Sequence, residues 1–356
     1  MSGRYGIMVH YLLPQLWSVD GVSYKDPDKV VNAFDLDIFM RDFDATHSEW
    51  LIFTIGQNTG YYCSPNDSLE YFVGSGHCTK RDLLLEIARA VKQRGKRFIA
   101  YLPCEVFGNE SIKKPLGWED VPGSKQTVFQ QRYTQIIEEW SLRLDNLLDG
   151  WWLDGFFDFE VFPQKNYDMQ MWMKALRRGN PNAIVTFNDG CFCTRSNYDC
   201  YRYFDYLPGE AEVLVDGRLR LGRDVEFETC LPGSALAPNA KCQWHALLPI
   251  DAFWALGGAP GSYLPSEHRF PPVEDINNPG TIPPPIYSDT ELSNFTRDCL
   301  SVGGAVTFNA GIYMDGSLSC KTVRQIKAIS EQQYPKTIQV NKNTSKIKEE
   351  TLSIVN

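Results

Sequence analysis

The amino-acid sequence predicts an α/β fold of the (β/α)8 TIM-like barrel type, less regular in its second half. Three observations lead there. Short apolar runs alternate with amphipathic helical stretches over short connections, which sets strands in parallel with helices on the outside. One such pattern fills most of the 356 residues, more than a single nucleotide-binding unit requires. No phosphate-cradling Gly-x-Gly-x-x-Gly follows a strand, which favours a barrel over a dinucleotide fold.

The elements follow in order. Tyr5 to Tyr11 forms a first strand that ends in His10. Val30 to Asp42 has helical spacing of apolar residues, and Trp50 to Ile55 is the second strand. That strand runs into Gly56-Gln57-Asn58-Thr59-Gly60-Tyr61-Tyr62, a loop whose amides and hydroxyls can donate and accept hydrogen bonds without charge. Thr79 caps a helix that places Leu83, Leu84, Ile87, Ala88 and Val91 on one face and ends at Gly95. Arg97 to Tyr101 is the third strand, and Ser124 to Leu148 is a long amphipathic helix.

That helix delivers the chain to Gly150-Trp151-Trp152-Leu153-Asp154-Gly155, a short aromatic run bracketed by glycines, which reads as a buried strand. In a parallel α/β fold such strands aim their carboxyl ends at the functional face, so Asp154 is placed like a catalytic group. The bland reading is a carboxylate that only starts a turn.

A helix from Asp168 to Arg178 and a strand from Ala183 to Phe187 follow. Strand-like pieces then occur at Asp205 to Glu212, Val225 to Thr229 and Ala305 to Phe308, with a Pro-rich loop from Ala259 to Pro285 between them. Ser288 to Val302 and Ser319 to Ser330 close the pattern as helices. The expected organisation is one barrel domain over residues 1–335 and a polar tail over 336–356.

Composition narrows the function classes. A net charge of −9 without a basic run speaks against nucleic acid and anionic membranes as partners. No stretch approaches the roughly 20 apolar residues of a membrane helix, so the chain reads as soluble. Nine Trp, 17 Tyr and 20 Phe exceed the needs of a core this size, and rings in a cleft stack on sugars. The ten Cys hold no paired C-x-x-C motif and the five His no ligand spacing, so neither a metal nor a cofactor is implied. Asn66, Asn109, Asn294 and Asn343 stand in glycosylation triplets, while the Met-Ser-Gly-Arg start carries no apolar signal segment, which leaves the compartment open.

At this point a resemblance enters. Tyr5-Gly6-Ile7-Met8-Val9-His10, Lys80-Arg81-Asp82-Leu83, Arg94-Gly95-Lys96-Arg97-Phe98 with Tyr101, and Trp152-Leu153-Asp154-Gly155 resemble, in order, motifs of the α-L-fucosidases of glycoside hydrolase family 29. Glu228-Thr229-Cys230, and Val302-Gly303-Gly304 through Asn309, Asp315 and Gly316, continue the likeness to about Ser330. The resemblance implies a retaining exo-glycosidase acting on an oligosaccharide or glycoconjugate, with Asp154 as nucleophile. It places the acid/base on Asp205-Tyr206-Leu207-Pro208-Gly209-Glu210, hence Glu210, with Glu212, Glu226 and Glu228 as rivals. His10, Gln57, Asn58, Tyr61, Trp152 and Glu228 would contact the sugar.

Two departures stand out. The family's paired histidines after the second strand are replaced by Gln57-Asn58, which changes the sugar contacts and makes fucosides poor substrates by expectation. The family's C-terminal β-sandwich has no counterpart in this sequence. A non-catalytic carbohydrate-binding barrel is the competing expectation.

Overall fold

The computed structural model describes residues 1–156, 167–189, 202–211, 213–221, 225–226, 242–254 and 280–333. The chain begins with β1 (Arg4–Val9), α1 (Pro27–Ala33) and α2 (Leu36–Thr46), then β2 (Trp50–Thr54), α3 (Asp67–Val73) and α4 (Leu83–Gln93). It continues with β3 (Arg97–Pro103), α5 (Glu110–Leu116), α6 (Thr127–Leu144), β4 (Gly150–Asp154), α7 (Met169–Leu176) and β5 (Ile184–Phe187). Three short strands follow, β6 (Val213–Val215), β7 (Arg218–Leu221) and β8 (Val225–Glu226), then β9 (His245–Pro249), α8 (Asp289–Ser301), β10 (Ala305–Ala310) and α9 (Cys320–Gln333).

Seven strands form one parallel sheet in the order β5-β4-β3-β2-β1-β10-β9. The gap between its two edges is spanned by residues 205–211. On one side Asp205 N–H donates to Val185 O. On the other, Leu207 N–H donates to Gln243 O, Gln243 N–H to Asp205 O, and Leu247 N–H to Gly209 O. The segment therefore occupies the eighth strand position without becoming a regular strand. Pro208 has no N–H to give, and Gly209, at φ +71°, brings its backbone so close to His245 that a Cβ would stand 2.3 Å from the carbonyl oxygen. The expected second-half irregularity has this cause, together with the antiparallel excursion β6-β7-β8 that stands where a helix would follow the segment.

Several helix limits differ from the sequence expectation for local reasons. The single helix expected over 30–42 is two, because the Asp35 side chain accepts from Asp37 and Ile38 N–H and starts α2 afresh. α4 is capped by Asp82 through Leu85 N–H, not by Thr79, whose hydroxyl donates to Arg81 O. α6 stops at Leu144 and passes through a 3-10 turn, Asp145–Leu147. α3, α5, β6, β7 and β9 were not anticipated. Most of the Pro-rich loop and the polar tail from 334 onward lie outside the described residues.

The strand alternation divides the core in two. Side chains on the outer face, among them Ile7, Phe53, Phe98, Trp151 and Val185, pack against the helices. Those on the inner face, Met8, Trp50, Ile52, Ile99, Tyr101, Trp152, Tyr206, Leu247 and Ala305, fill the barrel. Near the amino-terminal end, Trp50 lies where a Cβ on Gly6 would stand 2.3 Å from its indole nitrogen, so β1 needs glycine there. The indole N–H donates to Thr307 Oγ1 at 2.9 Å, and His245 Nε2 lies 2.7 Å from the same hydroxyl. Burial pushes His245 down to about 4, so it sits in the barrel uncharged.

Candidate active site

The inward positions at the carboxyl ends of the strands are polar where those below them are mostly apolar. Met8 is followed two residues on by His10, Ile99 by Tyr101, Trp152 by Asp154, Thr186 by Asn188, and Thr307 by Asn309. Pro208 precedes Glu210 with the same spacing. Period-two alternation thus carries these groups to one face of the barrel.

Asp154 is supplied with donors on both oxygens. Tyr101 Oη donates to Oδ2 at 2.5 Å and Gln57 Nε2 donates to the same oxygen at 3.1 Å. Gln57 also donates to the Tyr101 hydroxyl. Oδ1 accepts from Gly155 N–H at 2.9 Å and from Asn188 Nδ2 at 2.8 Å. Gly155 has φ +81°, so the chain leaves the strand in a left-handed turn that presents the carboxylate. Tyr101 is buried, and burial, then the charge of Asp154, raises its phenol well above the usual range, which keeps it a proton donor to the carboxylate.

Asn188 Nδ2 reaches a second carboxylate, Glu210 Oε2, at 2.5 Å. One amide nitrogen therefore bridges Asp154 and Glu210, with one hydrogen for each. The two oxygens can be no farther apart than these contacts laid end to end, 2.8 and 2.5 Å.

His10 is 6% exposed, with its ring edge-on to Tyr101 at 5.1 Å between centroids. Its Nδ1 lies 2.7 Å from Asn309 Oδ1. Because Asn309 Nδ2 donates to the carbonyls of Ala252 and Trp254, its Oδ1 is the acceptor and His10 carries its proton on Nδ1. Burial lowers His10 to about 4 against the opposing Asn309 bond and Asp154 charge. Near neutral pH it is an uncharged ring with Nε2 as an acceptor.

The other expected contacts are placed differently. Trp152 is 2% exposed, stacked on Tyr101 at 5.1 Å, with its N–H on Pro208 O at 3.2 Å. It forms the floor beneath the carboxylates. Asn58 is exposed on the Gln57 loop and faces Gly108. Tyr61 stacks on His77 and packs with the layer outside the sheet. Glu212 and Glu228 lie outside the described residues, and Glu226 ends β8 in the antiparallel excursion.

Sequence reasoning gave no role to Tyr101, Asn188, Asn309 or Glu105. The first three stand at inward strand ends, so the strand-end position that singled out Asp154 also marks them. Glu105, two residues beyond β3, is 8% exposed and packs against Gly155, where a Cβ would stand 2.5 Å from its Cγ. Its Oε2 accepts from Phe107 N–H. Burial, with the charge of Asp154 adding, raises this carboxyl to about 7 against the pull of the loop N–H groups and Lys113. Among the described residues no group of His, Cys, Asp and Glu is placed to hold a metal ion, and no helix is long and apolar enough to cross a membrane.

A parallel barrel with a polar, carboxylate-bearing carboxyl end is the framework of many sugar-processing enzymes. The comparisons narrow this. A family model described as endo-alpha(1,4)-fucoidanase Mef1 matches residues 45–200, the stretch that contains β2 to β5 with Gln57, Tyr101, Asp154 and Asn188. No curated protein matches the sequence. Among solved structures, the endo-fucoidan hydrolase MfFcnA4 from glycoside hydrolase family 107 is 13% identical with a TM-score of 0.63, covering 93% of this chain and 53% of that one. A second family 107 endo-fucoidan hydrolase, P5AFcnA, is 14% identical with a TM-score of 0.58 over 94% of this chain and 92% of its own. A Ruminococcus gnavus family 29 fucosidase in complex with fucose is 13% identical with a TM-score of 0.55, over 93% of this chain and 65% of that one. The chain thus spans about half the length of MfFcnA4. Its fold is the barrel shared by these fucose-active glycoside hydrolases.

Proposed function

We propose that this chain is a retaining glycoside hydrolase that cleaves α-L-fucosidic linkages, with Asp154 as nucleophile and Glu210 as acid/base; the fucoidanase model and the fucosidase neighbours support fucose in place of the expectation that the Gln57-Asn58 loop makes fucosides poor substrates. The observation that carries the reading is the Asn188 amide bridging the two carboxylates. It keeps them within the roughly 5 to 5.5 Å that double displacement requires, too close for the water an inverting enzyme places between them.

Asp154 attacks the anomeric carbon as the glycosidic C–O bond breaks, and Glu210 gives its proton to the departing oxygen. Glu210 then takes a proton from water, whose oxygen attacks the same carbon and frees Asp154, with net retention. No cofactor takes part in either step. Tyr101, Gln57 and Asn188 hold the nucleophile by its oxygens so that attack needs no rearrangement. His10 and Gln57 contact the hydroxyls of the sugar in the reacting position. One amide and an imidazole lowered to about 4 make these contacts, so they do not change charge above about pH 5.

The family-model match favours cleavage within a fucan chain. The family 29 neighbours favour the exo mode that the sequence resemblance implies, which is the second reading. Incubation with an aryl α-L-fucoside and with a fucan tests both: an oligosaccharide ladder supports the first reading, and fucose released from chain ends supports the second. If neither substrate is cleaved and both are bound, the carbohydrate-binding alternative holds. Glu105, whose carboxyl is raised to about 7 by burial, is the rival for the acid. Loss of activity on poor leaving groups, with azide rescue on activated ones, in Glu105→Gln and not in Glu210→Gln would transfer the role to it.

A further inference from the structure

We propose that Phe107 is the stacking platform of a second sugar subsite beside the reacting one, with Asn58 as its hydrogen-bonding partner. The inference rests on the glycosidase reading and specifies its substrate as a chain of at least two pyranose units. Phe107 is 51% exposed on the loop that follows β3, at the same end of the barrel as the carboxylates.

The loop is tied to the site at both ends of a short run. Phe107 N–H donates to Glu105, whose side chain backs on Gly155, the residue after Asp154. Gly108 faces the Asn58 amide, where a Cβ would stand 3.5 Å away, and the neighbouring Gln57 donates to Asp154. Gly108 thus sets the loop that carries Phe107 against Asn58, the neighbour of Gln57, which holds the nucleophile.

The ring is held in place. Lys113 Nζ lies 5.3 Å from its centroid, and Lys113 is itself anchored to Glu110 at 3.0 Å and to Asp120 at 2.7 Å. Asn109, two residues after Phe107, is buried and its N–H donates to Val106 O. An exposed ring fixed in this way loses little freedom when a ligand covers it. The charge of Lys113 is taken up by its two acids, so the subsite offers stacking and an amide, which suits the C–H face and hydroxyls of a neutral pyranose.

The test compares a short and a long ligand. In Phe107→Ala, kcat/KM for an aryl α-L-fucoside is expected to stay within about twofold, while KM for an α-fucan tetrasaccharide rises about tenfold at little changed kcat. Phe107→Tyr should restore it. Calorimetry of tetrasaccharide binding to Asp154→Asn protein, with and without Phe107→Ala, gives the same comparison without turnover. Equal behaviour of Phe107→Ala and wild type on the tetrasaccharide overturns the subsite, as does an equal loss on both substrates, which would mean that the ring only props the reacting site. If neither the aryl fucoside nor the tetrasaccharide is hydrolysed but Phe107→Ala still weakens tetrasaccharide binding, the subsite stands and the hydrolase reading fails.

Discussion

Trp152 and Asp154 stand two residues apart on one strand and face the same way, yet one is sealed in the barrel and the other is ringed by donors. The contrast repeats around the ring. Below, Trp50, Ile52, Ile99 and Trp152 fill the interior, and Thr307 satisfies the indole of Trp50 and lies beside His245. Above, His10, Gln57, Tyr101, Asp154, Asn188, Glu210 and Asn309 form a connected polar network. The difference teaches that these strands carry stability and chemistry in separate layers, joined where Tyr101 stacks on Trp152 and donates to Asp154.

Substitutions in each layer can break that separation. The largest effect belongs above: Asp154→Ala should lower turnover by about 10⁴-fold or more with the melting temperature little changed, as read by steady-state kinetics and calorimetry on one preparation. Trp152→Ala, below, should cost about 3 to 5 kcal/mol of stability in denaturant unfolding. A Trp152→Ala protein as stable as wild type would dissolve the contrast.

Asn188→Ala removes the donor shared by the two carboxylates and should reduce kcat about 10² to 10³-fold. Poor and activated leaving groups should both suffer, because nucleophile and acid are loosened together.

Glu105 gives the smallest effect and the sharpest pH dependence. Its folded value, raised to about 7, lies above the ordinary carboxyl range. The stability it contributes is therefore present below about pH 4 and is lost as pH rises through 7, roughly 3 kcal/mol in all. Glu105→Gln should flatten that part of the stability profile and make the protein more stable than wild type at pH 8.

The regular half of the fold was legible because its strands are short apolar runs bounded by helices with clear caps, as at Asp168, which accepts from Gln170 and Met171 N–H to start α7. Residues 205–211 were recognisable as strand-like, but the Pro208-Gly209 break that keeps the segment irregular matters only against His245, a neighbour distant in sequence. β9 was missed because Ala246 to Pro249 is a short apolar run that ends at a proline, with no cap or turn signal ahead of it.

Within the site, Asp154 and His10 were legible as strand-end groups and Gln57 as a residue of the polar loop after the second strand, and the structure brings them together through Tyr101. Asn188 and Asn309 obey the same rule but are amides, which sequence reasoning passed over in favour of acids. Glu105 was not legible at all. Its burial and its elevated proton affinity arise from a loop that folds back on Gly155, a contact between residues fifty apart.

The central claim is that Asp154 and Glu210 act as a double-displacement pair. The most direct measurement is mass spectrometry of a Glu210→Gln variant after incubation with an aryl 2-deoxy-2-fluoro-α-L-fucoside bearing a good leaving group. Slow turnover should then leave a glycosyl ester on the enzyme. The account predicts a single fluorofucosyl adduct on the peptide that contains Asp154, with none in Asp154→Ala. An adduct on another carboxylate, or hydrolysis with inversion and no adduct, would contradict it.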